Sequence, residues 1–100
     1  MPVAVPAVGK HLFDVTDTFV ITGRGTVIVG DRRAADLSPH VVRVGDELVV
    51  CPPQGVAFTA KVSGTEIEMA HRRNAPISVI VAEDPATFPI GSAIWSVPAP

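Results

Sequence analysis

One hundred residues, 47% hydrophobic and 18% charged, make one small folded domain, long enough for a single core and too short for two, and exclude a disordered tail. A formal net charge of −2 excludes a global electrostatic footprint for nucleic acid or an anionic membrane, so binding of either kind needs a local patch. No apolar run approaches the ~18 residues that span a bilayer, and Met1-Pro2-Val3-Ala4-Val5-Pro6 has neither the basic start nor the unbroken apolar stretch of a secretory signal.

The apolar set is mostly Val, Ile and Ala, and ten Pro and eight Gly are scattered through it. That mixture favours short strands joined by tight turns over helices, so the expected fold class is all-β. The single cysteine, Cys51, excludes an intrachain disulfide and fits a reducing, cytoplasmic location. It follows Leu48-Val49-Val50, precedes Pro52-Pro53 and has no basic neighbour in sequence, so it reads as a small hydrophobe at a strand end. The initiating Met1 and the proline-rich ends are those expected of a complete chain.

Taken in order, residues 1–11 carry two prolines and little alternation, and read as an extended lead-in pinned along the domain edge. Residues 12–17 alternate, and Thr18 opens a β-branched run broken by Gly23-Arg24-Gly25. Glycine tolerates positive φ and close backbone approach, so this run is expected to be one bent strand or two strands meeting at a corner. Residues 30–40, with four charges, Gly and Pro, read as a loop able to contact a partner. A short strand is expected at 41–44, then a Gly45-Asp46 turn and a strand 47–51 ended by Pro52-Pro53. Residues 56–62 and 65–69 alternate on either side of Ser63-Gly64, as one bent strand. A charged loop 70–76 precedes residues 77–82, the most buried-looking strand, and after the loop 83–89 residues 90–97 close the domain. Val44-Gly45-Asp46-Glu47-Leu48 and Ile90-Gly91-Ser92-Ala93-Ile94 look like two similar glycine turns feeding strands, which suits a barrel of about six strands that closes on itself and leaves no free edge.

At Thr22-Gly23-Arg24-Gly25-Thr26-Val27, with Gly30 and then Val44-Gly45-Asp46-Glu47-Leu48, the sequence resembles domain two of elongation factor Tu and related translational GTPases. Phe13-Asp14-Val15 before the central strand and residues 62–69 after the glycine-aspartate corner keep the family's order of landmarks, and the resemblance covers residues 12–97. It implies a small closed six-stranded antiparallel Greek-key barrel over 12–97, with a lead-in 1–11 and a tail 98–100. In the family this barrel is joined to a GTPase domain. No Gly-x-x-x-x-Gly-Lys-Ser/Thr run occurs here, so GTP is not bound by that route.

The resemblance also implies a contact with the aminoacylated end of transfer RNA, through a glutamate stacked on the terminal adenine and a nearby arginine and asparagine. The glutamate falls on Glu66 if Gly64 sets the register, which puts Met69 at the arginine position. It falls on Glu68 if residues 67–69 are matched instead, and the arginine position is then Arg72. The loop bearing the asparagine is shortened here to Asn74-Ala75-Pro76.

Among the other residues, Arg24 either covers its corner, pairing with Asp17 or Asp46, or meets a ligand. Arg32-Arg33 and Arg72-Arg73 are two arginine pairs in separate loops, and if the fold joins them they form a cationic patch that grips phosphate. The neighbouring Asp31, Asp36, Glu66 and Glu68 are placed to neutralise that field. His11, His40 and His71 lie about thirty residues apart, without metal-ligand spacing, and no nucleophile elbow accompanies the Ser, His and acidic residues. Trp95 reads as core. The expectation is a non-catalytic binding module for RNA or a protein partner, with no cofactor and no membrane contact, and its alternative is a structural subunit of a homo-oligomer or larger assembly.

Overall fold

The computed structural model describes residues 7–33, 36, 42–65 and 76–98. Six strands run through them: β1 (His11–Ile21), β2 (Gly25–Arg33), β3 (Glu47–Cys51), β4 (Phe58–Thr65), β5 (Pro76–Val81) and β6 (Ala93–Ser96). All pairings are antiparallel, and the strands close into a ring in the order β1-β2-β5-β4-β3-β6. With β6 returned beside β3, the run 6-3-4-5 has the Greek-key order. A 3-10 turn, Pro85–Thr87, is capped by the Asp84 carboxylate, which accepts from the Ala86 N–H at 3.0 Å. No described helix is long and apolar enough to cross a membrane.

The Gly23-Arg24-Gly25 stretch does not bend a strand; it reverses the chain. The Arg24 N–H donates to the Ile21 carbonyl at 2.9 Å, and Gly23 at φ 80 takes the third position of the turn, which only glycine fills without strain. Gly25 has a second reason to be glycine, since a Cβ there would run into the Val81 carbonyl oxygen.

Residues 31–33, expected in a loop, belong to β2, because Arg33 registers opposite Pro76 after a shift in the β2–β5 ladder. The strand expected at 41–44 is absent from its described part. Arg43 accepts from the Asp46 N–H and donates its own N–H to the Asp46 carboxylate, so residues 43–46 form a turn with Val44 at its exposed tip. Gly45 and Gly91 do turn the chain into β3 and β6, both at positive φ. Pro52-Pro53 ends β3, and Ser63-Gly64 is a register shift inside β4. Ile77 to Val81 are buried throughout, as expected of the most apolar strand.

Bulges decide the core. Between His11 and Phe13 the β1–β6 register slips, so consecutive Leu12 and Phe13 are both fully buried instead of alternating. Thr16 is the extra residue of a second bulge, between Val15 and Asp17, which re-phases β1 for the hairpin above it. The ring interior is filled by Leu12, Phe13, Val15, Ile28, Leu48, Val50, Val62, Ile77, Val79, Val81 and Ile94. Phe88, packed on Phe58 at 5.9 Å between ring centres, also joins this core, on the β5–β6 connection. No buried side-chain nitrogen or oxygen among the described residues lacks a hydrogen-bond partner.

Candidate nucleic-acid interface

In an antiparallel ring, connections fall alternately at the two ends. One end holds the start of β1, the end of β2, the start of β3, the end of β4 and the start of β5; the other holds the 22–24 hairpin, the 52–57 connection and the 82–92 connection. Lys10, Arg32, Arg33 and Arg43 belong to the first end, together with Asp14, Asp31, Asp36 and Asp46. Arg24 stands at the second.

Arg33 and Pro76 are register partners, so the strand that delivers Arg32-Arg33 ends beside the strand that follows residues 66–75. Glu66, Glu68, Arg72 and Arg73, with Met69, Asn74 and His71, lie outside the described residues.

Arg32 and Arg33 do not act as a pair. They follow one another on a strand, so their side chains point to opposite faces. Arg33 is exposed: its Nε is 3.6 Å from the Asp36 carboxylate, which also accepts the Arg33 N–H at 3.1 Å. Side chains that are 60% and 44% exposed make an ion pair worth at most about 1 kcal/mol, so a phosphate oxygen can take the place of Asp36 at little cost.

Arg32 is half-buried and reaches across to β1, where its Nη2 donates to His11 Nδ1 at 3.4 Å. With Nδ1 accepting, the His11 proton lies on Nε2 and is donated to Asp14 Oδ1 at 2.8 Å. Asp31 accepts the Asp14 N–H at 2.9 Å, so this acidic residue is occupied by the strand that neighbours it. The His11 ring packs on Trp95, 4.9 Å between centres and tilted by 57°. Trp95 is thus half-buried on the outer face of β6, not in the core where the sequence put it, because it registers with His11 and Val49 on the side away from Ile94. Sequence reasoning missed this cluster: His11 and Trp95 are 84 positions apart, and only the β1–β6 register brings them together. The signal that was present is parity, since Ile94 and Trp95 cannot both face inward on a regular strand.

Arg24 has no carboxylate partner among the described residues. Asp17 is engaged with the Thr18 N–H at 2.9 Å and Asp46 with the Arg43 N–H at 2.8 Å, so neither pairing expected for Arg24 is made. Cys51 ends β3 as a half-buried free thiol. No three His, Cys, Asp or Glu side chains among the described residues converge as a metal site.

No protein-family model matches this chain, and no curated protein matches it. What the arrangement offers chemically is read from the chain itself: guanidinium groups at one end of a filled ring, one half-buried and held in place, one exposed and weakly engaged.

Proposed function

We propose that this chain is a non-catalytic binding module, resembling domain two of elongation factor Tu, that grips the phosphate backbone of RNA with the arginine-bearing end of its ring. The observation that carries this reading is the register of Arg33 opposite Pro76, which makes β2 and β5, the strands bounding the two arginine-bearing segments, neighbours at one end. The Thr22-Gly23-Arg24-Gly25-Thr26 motif and the six-strand antiparallel ring support the likeness to the translation factors. Arginine suits the task, since its fork matches two phosphate oxygens at once and it is always charged.

The test is fluorescence anisotropy of labelled transfer RNA and of a single-stranded RNA, titrated with protein at two salt concentrations. The expected result is binding that weakens as salt rises. Replacing both arginines (R32A/R33A) should flatten the logarithmic salt slope by about 1.4 on a single strand, from about 0.7 for each phosphate no longer neutralised. Binding that is absent at micromolar protein, or indifferent to salt, would sink the RNA reading.

The alternative, a subunit of a homo-oligomer, is favoured by a different observation. Of the large exposed hydrophobic residues, Phe19, Val20, Val56 and Ile90 belong to the end away from Arg32 and Arg33.

A further inference from the structure

Among the described residues, the ladder that closes the ring between β1 and β6 is short. β1 pairs with β6 only through His11, Phe13 and Asp14, and Val15 then exchanges hydrogen bonds with Gly91 and Ser92. From residue 16 to residue 21 the strand's ladder partner is β2, and no described residue pairs with its other edge. Natural edges are blunted by charged residues, proline, bulges or a covering loop; the sequence Thr-Asp-Thr-Phe-Val-Ile has the Thr16 bulge and Asp17 at its start, and neither charge nor proline from Thr18 to Ile21. Phe19 is 45% exposed and Val20 60% exposed on this edge strand.

Two details say what occupies the edge. The first is an apolar row across the outer face, Ile80 on β5, Val27 on β2 and Phe19 on β1, which are register partners in turn. Ile80 and Val27 are buried while Phe19 is not, so the row stops at the open edge for want of the next strand. The second is charge. Asp17, near the start of the free segment, and Arg24, in the hairpin beyond its end, are both exposed and of opposite sign. The Asp17 carboxylate takes the Thr18 N–H at 2.9 Å, a position where a neighbouring strand's carbonyl would otherwise stand.

We propose that this edge pairs with the same edge of a second copy, antiparallel about a two-fold axis at Phe19. Phe19 then faces the partner's Phe19, and the outer row runs unbroken through both molecules. Asp17 is released from Thr18 and comes beside the partner's hairpin, within an arginine side chain's reach of the partner's Arg24. A self-complementary contact of this kind is closed and makes a dimer, not a fibre. It uses the opposite end of the ring from Arg32 and Arg33, so it stands independently of the RNA reading. A six-residue edge lies below the standard interface size, and the association is expected to be weak, with a Kd of about 10–100 µM.

Sedimentation velocity from about 5 µM to about 1 mM protein, without RNA, reads the outcome directly, since that range brackets such a Kd. The expected result is a shift from 10.5 kDa to twice that mass. Asp17→Arg and Arg24→Asp each weaken the dimer about tenfold, like charges then facing each other, and the double variant D17R/R24D restores it. Phe19→Lys abolishes it while the variant still unfolds cooperatively, because Phe19 is 45% exposed and lies outside the filled interior. R32A/R33A leaves it intact. A protein that stays monomeric over the whole range, a dimer indifferent to Phe19→Lys, or a charge swap that fails to restore association overturns the proposal.

Discussion

Replacing Gly30 by alanine tests whether the core is built as described. Gly30 sits on β2 opposite Val15, and a Cβ there would lie 2.5 and 2.6 Å from two carbons of the Phe13 ring and 2.7 Å from Ile77 Cγ2. Real Cβ atoms do not approach so closely, and both neighbours are locked, Phe13 at 0% and Ile77 at 1% exposure. The φ of Gly30 lies outside the left-handed region, so alanine meets no backbone strain and should gain about 0.4–1 kcal/mol from a stiffer unfolded chain. Against this stands an overpacking cost of about 1–3 kcal/mol, because a ring and a methyl group must move inside a filled barrel. The net expectation is a loss of about 1–2 kcal/mol, or roughly 4–16 °C in Tm for a domain of this size. Thermal and urea unfolding followed by circular dichroism measure it. The cause is isolated by Phe13→Leu, which vacates the space. If the clash with Phe13 is responsible, G30A should cost less in the F13L background than in the native one, with a coupling of at least about 0.5 kcal/mol. A G30A protein as stable as the native one, or strictly additive costs in the double variant, would refute the placement of Phe13 over Gly30.

Two other substitutions follow from the same geometry. Gly25→Ala should cost about 2–5 kcal/mol, since it combines φ 121 with a Cβ driven into the Val81 carbonyl, whereas Gly23→Ala, at φ 80 in open space, should cost only about 1–2 kcal/mol; urea midpoints of the two variants in the reverse order would contradict the hairpin described. Thr26→Val keeps shape but removes the hydroxyl that donates to the Glu83 carbonyl at 2.6 Å, so its Tm should fall by about 4–8 °C for about 1 kcal/mol, while Thr26→Ser, which keeps the donor, should leave the 82–84 segment as protected from hydrogen exchange as in the native protein.

Much of the fold could be read from side-chain chemistry. The β-branched runs at 26–29, 47–51 and 77–81 became strands, Pro52-Pro53 stopped one of them, and the glycines at 45 and 91 turn the chain at positive φ. What misled was alternation. Leu12 and Phe13 break it because a bulge puts both inside, and Phe19 stands beyond the residues of β1 that pair with β6. A strand's sequence states which residues share a face; it does not state whether another strand lies alongside to bury that face. Residues 16–21 of β1 have no second ladder partner among the described residues for that reason.

The candidate site depended on one short segment. Had residues 41–44 formed a strand, the chain would have reversed once more between the two arginine pairs, and Arg32-Arg33 would lie at the opposite end from the connection that follows β4. Asp46 prevents this by folding the chain back on Arg43, with its carboxylate on the Arg43 N–H and its own N–H on the Arg43 carbonyl, so that Val44 projects at a turn and β3 begins only at Glu47. The end of β2, the start of β3, the end of β4 and the start of β5 then all lie at one end of the ring. A Val-rich tetrapeptide carries a strong strand signal, and a local aspartate turn of two hydrogen bonds outweighs it because those bonds close within four residues and carry little loop-closure cost. That the strands on either side of residues 66–75 end level with Arg32-Arg33 thus depends on a turn that contains neither of those arginines.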